Sequence, residues 1–141
     1  MIRVIVIDMS EIVFAIDDDK ERVGRQVQTL VEDLPMRTED LSVTVLHVFS
    51  DNPTGASITQ LQTARFAEAE LKAAGIDVEL VGRSDNPSTE IVEYADEAGA
   101  DLICLAGRKR SPTGKALFGS VTQDVILTTE LPVLIAGDDR T

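Results

Sequence analysis

Apolar residues along the chain follow two rhythms in turn. Short runs rich in β-branched residues, Ile12-Val13-Phe14-Ala15-Ile16, Leu41 to Phe49, Ile76 to Val81, Leu102-Ile103-Cys104-Leu105-Ala106 and Pro132-Val133-Leu134-Ile135, read as strands. Between them apolar positions step by threes and fours, which predicts helices. The first carries Val23, Val27, Leu30, Val31 and Leu34, the second Ile58, Leu61, Ala64, Ala67, Leu71 and Ala74, the third Ile91, Val92, Ala95 and Ala98. A fourth runs from Ser120 to about Thr129. Their ends are marked by caps and breakers: Asp18–Asp19 before the first helix and Pro35 after it, Gly75 after the second, Asn86 and Pro87 before the third, Gly99 after it. Ser120-Val121-Thr122-Gln123 fits a capping box opening the fourth.

The order β-α-β-α-β-α-β-α-β predicts an α/β domain: a parallel sheet, wound right-handed and covered by helices. Leu41–Phe49 and Leu102–Ala106 are near-continuously apolar, as strands buried on both faces are. Ile76 to Val81 alternates apolar with acidic residues and reads as an edge. Residues 2–7 are also β-branched, so residues 1–10 are set apart as an N-terminal arm or extra strand and residues 11–141 as the domain. In such sheets ligands lie beyond the carboxyl ends of the strands, where strand order reverses. Asp17, the turn after Phe49 and the segment after Ala106 all leave strand ends of that kind.

Charge then narrows the chemistry. The 141 residues carry 13 Lys+Arg against 25 Asp+Glu, a net charge of −12, which argues against general binding to nucleic acid or to an anionic membrane. The acidic surplus reads as adaptation to high salt, where screening offsets self-repulsion. Four of the 13 cations, Arg108, Lys109, Arg110 and Lys115, fall within eight residues, and no acid occurs from Leu102 to Gln123. That basic island also holds Gly107, Gly114 and Gly119, and it runs into the predicted fourth helix. Glycines let backbone N–H groups approach closely, a helix start favours negative charge, and Arg can grip phosphate with two bonds. An anion, such as a phosphate or nucleotide, is the expected ligand. The stretch is not a P-loop: six residues separate Gly107 from Gly114, and Ala116 follows Lys115. No G-x-G-x-x-G occurs in the chain. Cys104 reads as a small buried hydrophobe and His47 as a hydrogen-bonded core residue, with no Cys/His cluster beside it. The apolar opening Ile2–Ile7 is too short for a membrane span, which points to the cytoplasm.

From Ile12 to Ile135 the arrangement resembles the universal stress protein family. The likeness rests on a strand ending in Asp, on Val45-Leu46-His47-Val48, on Ala100-Asp101-Leu102-Ile103, on Phe118-Gly119-Ser120-Val121-Thr122 and on Leu131-Pro132-Val133-Leu134-Ile135. It implies a five-stranded doubly wound parallel sheet in the order 3-2-1-4-5 with four helices, and a homodimer through the last strand, Val133–Ile135. It also implies a crevice for ATP or another adenine nucleotide, with Mg²⁺ accompanying it, acting as a switch or sensor with little or no hydrolysis. Carried over by position, Ile16, Asp17 and Val48 would line the adenine slot and Gly107 would lie near the ribose. Gly119 and Ser120, followed by Val121 and Thr122, would hold phosphates. The family's G-x2-G-x9-G-[S/T] is broken here, because Arg110 stands at the middle glycine and eight residues, not nine, precede Gly119. Arg108, Arg110, Gly114 and Lys115 would then supply what the missing backbone contact does not.

Asp8-Met9-Ser10-Glu11 also looks like the family's D-x-S-E, but spacing favours Asp17: it lies 30 residues before His47, room for one crossover helix, against 39 for Asp8. No general base stands inside the basic loop, so turnover is not implied. Two other readings remain open. One is a structural dimer of the same fold with an empty crevice, suggested by the missing glycine. The other is a phosphoacceptor receiver domain, suggested by the Asp17-Asp18-Asp19 cluster.

Overall fold

The computed structural model describes residues 10–50, 57–107 and 118–137. Outside them lie the expected N-terminal arm at 2–7, Asp8, the turn at 51–55 and, from the basic island, Arg108, Lys109, Arg110, Gly114 and Lys115.

Five parallel strands form one sheet: β1 Ser10–Ala15, β2 Leu41–Phe49, β3 Asp77–Ser84, β4 Leu102–Ala106 and β5 Val133–Ala136, in the order β3-β2-β1-β4-β5. Four helices connect them: α1 Lys20–Gln28, α2 Gln62–Ala73, α3 Pro87–Glu97 and α4 Ser120–Thr128. This is the architecture and strand order expected from the sequence. Receiver-type sheets run 2-1-3-4-5, so the order argues against the phosphoacceptor reading.

The sheet separates two cores, as the alternation of side chains along buried strands requires. On one face Ile12, Phe14, Val43 and Val45 pack with Val23 and Leu30 from the first helical segment and Ala64, Ala67 and Leu71 from α2. On the other, Val13, Leu46, Val48, Ile103 and Leu105 pack with Ile91, Val92 and Ala95 from α3 and Val125 from α4. Phe14 is fully buried, and burial of such a side chain contributes about 1.5–3 kcal/mol. Cys104 is buried in the first core, where desolvation pushes its thiol up to about 12, so it is an inert apolar group at neutral pH. The winding changes face between β1 and β4, which are neighbours in space although β2 and β3 separate them in sequence.

Local signals account for most element ends. Gly75 and Gly99 stop α2 and α3 with φ of +87° and +65°, a conformation that costs glycine little. Several expected bounds shift: α2 starts at Gln62 after a 3₁₀ turn at Ile58–Gln60, and β3 runs Asp77–Ser84 rather than Ile76 to Val81. The first helix does not stay α to Leu34: after Gln28 the segment Thr29–Asp33 widens into a π turn, closed by the Leu34 N–H donating to the Thr29 carbonyl at 3.2 Å. The extra residue per turn keeps Leu30 buried while Val31 and Leu34 still pack on the core. The central strand begins two residues earlier than its apolar run, at Ser10, and ends at Ala15. The last strand begins at Val133 because Pro132 has no N–H for the ladder; its carbonyl accepts from the Ile103 N–H at 3.0 Å instead.

Candidate functional site

The β1–β4 ladder stops at Phe14 opposite Cys104. Beyond that rung β1 continues with β2, where Ala15 pairs with Leu46, and β4 continues with β5, where Leu105 and Ala106 pair with Ile135 and Ala136. The two central strands thus part at their carboxyl ends. Gln26, almost fully buried on α1, sits in the fork: its Nε2 donates to the Ala15 carbonyl at 2.8 Å and lies 3.5 Å from the Cys104 carbonyl. The amide takes the place of the next rung, so neither strand end is left with a costly unpaired carbonyl.

Above the fork opens a cleft of about 280 Å³. Its floor and one wall are apolar: Ala15, Ile16, Leu46 and Val48 from β1 and β2, with Leu105 and Ala106 from β4. Pro87 and Ile91 at the start of α3 close a side. The polar lining is Asp17, Arg22, Gln26 and His47 at one end, and Gly119, Ser120 and Thr122, with Val121, at the start of α4. An apolar slot with a few convergent polar groups is the usual form of a small-molecule site.

Asp17 follows the central strand and is held at three points. Its carbonyl accepts from the buried Thr63 hydroxyl at 2.7 Å, its Oδ1 from the Asp19 N–H at 2.9 Å, and its Oδ2 from Arg22 Nε at 2.8 Å. Arg22 Nη1 also lies 3.4 Å from Asp19 Oδ2. His47 donates from Nδ1 to the Ile16 carbonyl at 2.9 Å, since that carbonyl can only accept, and packs edge-on against Phe49. Nε2 is then the nitrogen left to accept.

The two helix starts that face the cleft from β1 and β4 differ. At α1, Asp19 is the N-cap and its side chain accepts from the Arg22 N–H at 3.0 Å; that bond chiefly holds the Asp19 carboxyl below its usual range. At α4 the expected capping box does not form. Ser120 is the first helical residue, not the cap; the cap is Gly119, in extended conformation, with no side-chain bond to the helix. Gln123 reaches back to the Phe118 carbonyl at 3.2 Å rather than to a cap N–H. The reason is geometric: a capping box needs an extended residue at 120, and here Gly119 takes that conformation one position earlier. Among the described residues no side chain accepts from the first N–H groups of α4.

Of the residues singled out from sequence, Ile16, Asp17, Val48, Gly119, Ser120, Val121 and Thr122 line this one cleft. Gly107 does not. It is buried, its N–H donates to the Ala136 carbonyl at 2.9 Å, and a Cβ there would meet Ile135 Cγ2 at 3.1 Å and that same oxygen at 3.2 Å. Its lack of a side chain is explained by β5. Arg108, Arg110, Gly114 and Lys115 lie outside the described residues. Sequence reasoning missed Arg22, Gln26 and the wall from Pro87 and Ile91, and took His47 for core alone. Gln26 had left a signal: it is a polar residue on the buried stripe, three after Val23 and four before Leu30.

Compared with known proteins, residues 9–137 match the model described as "Universal stress protein family". A universal stress protein of Synechocystis sp. is 29% identical over 128 residues, spanning 83% of this chain and 80% of its own. The structure of a universal stress protein from Archaeoglobus fulgidus superposes with a TM-score of 0.73 at 31% identity, covering 89% of this chain and 97% of that one. A structure from the same organism, solved in complex with dAMP, superposes with a TM-score of 0.69 at 27% identity, covering 92% and 98%.

Proposed function

The chain belongs to the universal stress protein family, and from that premise we propose that it is a stress-response module that binds ATP or another adenine nucleotide in the cleft above the β1–β4 fork. One observation carries the reading: a single cleft joins an apolar slot to a helix start whose cap residue makes no side-chain bond. Ile16, Asp17 and Val48 take the base end, and Gly119, Ser120, Val121 and Thr122 the phosphates. Gly107, carried over as the glycine near the ribose, follows β4 but is packed against β5 and does not line the cleft. Arg108, Arg110, Gly114 and Lys115 add charge and contacts where the family's middle glycine is missing. The dAMP complex of the Archaeoglobus fulgidus protein supports a ligand of this class. Among the described residues no group of three or more His, Cys, Asp or Glu could hold a metal, so Mg²⁺ would arrive on the phosphates. No general base stands inside the basic loop, which supports a switch or sensor with little or no hydrolysis.

Calorimetry of the full chain with ATP and Mg²⁺, and with AMP, tests the reading. Ser120→Ala and Arg110→Ala are expected to weaken binding. Absence of any heat with the wild type at millimolar nucleotide would leave the rival, an empty-cleft interaction protein, which Arg110 at the middle-glycine position favours.

The protein acts as a homodimer through Val133–Ile135. Its support is that β5 is an outer strand with half-exposed apolar residues, next to α4, where Ile126 and Leu127 are 41% and 83% exposed. We propose that the arm of the expected division, 1–10 before a domain at 11–141, comprises the residues before β1, since Ser10 itself opens that strand; the acidic surplus suits a cytoplasm of high salt. No described helix is long and apolar enough to cross a membrane. Light scattering in dilute and molar KCl, on the full chain and on a form lacking residues 1–9, reads these points together. A monomer throughout removes the dimer, unchanged folding and mass on truncation remove the arm, and equal solubility in both salts removes the salt adaptation. Fractionation of cells reads the location.

A further inference from the structure

An acid and an anion make poor neighbours. The phosphate of a ligand bound as proposed lies at the α4 end, but it shares the cleft with Asp17 at the base end, the sole carboxylate among the described lining residues. The described lining also contains one side chain of fixed positive charge, Arg22. That guanidinium is already engaged: Nε sits 2.8 Å from Asp17 Oδ2 and Nη1 3.4 Å from Asp19 Oδ2, on side chains that are 30%, 44% and 39% exposed. It faces carboxylates on the same turn of chain, and the Asp19 N–H holds the second Asp17 oxygen from the other side. Arginine suits this role because its fork can serve two acids at once and stays charged at any working pH.

We propose that Arg22 is an internal counter-ion: by masking Asp17 and Asp19 it lets a recognition carboxylate and an anionic ligand share one cleft, without touching the phosphate itself. The inference rests on the nucleotide reading of the cleft and names a specificity residue for it. Asp17 remains aimed, with lone pairs free for uncharged donors of a nucleoside, while its charge is offset from below. Removing the mask then harms phosphate-bearing ligands more than neutral ones, and removing the acid as well cancels that harm.

The test compares adenosine and AMP by calorimetry at one fixed, low salt concentration in wild type, Arg22→Gln, Asp17→Asn and the double variant. Arg22→Gln is expected to cost AMP about tenfold more affinity than adenosine, the scale of one added unit of net negative charge within about 10 Å of the phosphate. The double variant is expected to return the AMP-to-adenosine ratio to the wild-type value. A double variant that keeps the full AMP deficit would show Arg22 to be a phosphate ligand and overturn the proposal, as would a ratio unmoved by Arg22→Gln. Ligand-free thermal melts of the same four proteins separate the two failures. Non-additive melting shifts with no binding by wild type would confirm the ion pair but refute the nucleotide reading and this inference with it; additive shifts would refute the masking pair alone.

Discussion

Two helices start at the same cleft and end their first turns in opposite ways. α1 is closed: Asp19 caps it, Arg22 ties the cap and Asp17 together, and Thr63 pins the backbone from α2. α4 is open among the described residues: glycine occupies the cap, no described side chain accepts from its first turn, and Gln123 turns back to Phe118. Both ends have the same electrostatic character, a cluster of N–H groups and a positive dipole end. What separates them is whether the protein supplies its own negative partner. At α1 it does, and the helix start serves the fold. At α4 no described side chain does, which leaves the helix start open to an anion of the kind proposed.

The largest test of this contrast closes α4 as α1 is closed. Gly119 has φ of −69° and ψ of 165°, which any residue adopts, so Gly119→Asp is compatible with the backbone. The new carboxylate would accept from the first-turn N–H groups and repel a phosphate there. Nucleotide affinity is expected to fall by at least about tenfold, with the melting temperature unchanged or slightly raised. Gly119→Ser, which caps without charge, should lie between. Unaltered affinity in Gly119→Asp, measured by calorimetry, would mean the open start of α4 is not where the anion sits.

How far this contrast could be read beforehand depends on the range of the interactions that make it. β2 and β4 match their apolar runs residue for residue, and Asn86, Pro87, Gly75 and Gly99 mark helix ends, because each signal acts within a few residues. Asp17 as a cleft residue followed from the same local logic plus the crossover length. Gln26 did not, since its partners Ala15 and Cys104 meet only once β4 has been laid beside β1. Arg22 has its partners nearby, but a run of Asp17-Asp18-Asp19 with Lys20 and Arg22 allows several pairings, and only the folded turn selects one. Asp85, with φ of +117°, carried no such signal either: the strain belongs to the turn that leads Asn86 into its cap. Ser120 failed as a cap for a subtler reason. The motif S-x-x-Q is satisfied in sequence, but the helix starts one residue earlier: Gly119 is the extended residue and Ser120 is already helical.

A smaller effect probes the closed end. Asp19→Ala removes the α1 cap and is expected to lower the melting temperature by roughly 2–5 °C. The cap also carries a pH signature. The Asp19 carboxyl is held below its ordinary value of 3.8, first by the Arg22 N–H it accepts. A group depressed in the folded state stabilises above its unfolded value and loses that contribution as pH falls through the folded one. The gap in melting temperature between wild type and Asp19→Ala should therefore be steady from neutrality to about pH 5 and close below about pH 4. A gap that persists into stronger acid would assign the loss to something other than the ionised cap.

The smallest expected effect is the most direct comparison of the two helix starts. Gln123 lies on the exposed first turn of α4, and its bond to the Phe118 carbonyl is a neutral one at 3.2 Å. Such a bond, open to water, contributes little net stability, so Gln123→Ala should change unfolding free energy by no more than about 0.5 kcal/mol and nucleotide affinity by less than about twofold. Suppose instead that urea unfolding showed a loss of about 1 kcal/mol or more. That is the size of a working cap, and it would mean that Gln123 and Ser120 close α4 reciprocally in solution. α4 would then resemble α1, its N–H groups would already be satisfied, and a phosphate could bind there only by displacing them. The same variant should in that case bind nucleotide more tightly than wild type, because the competing acceptor is gone. The sign of the affinity change thus separates an open helix start from one that is closed and must be opened.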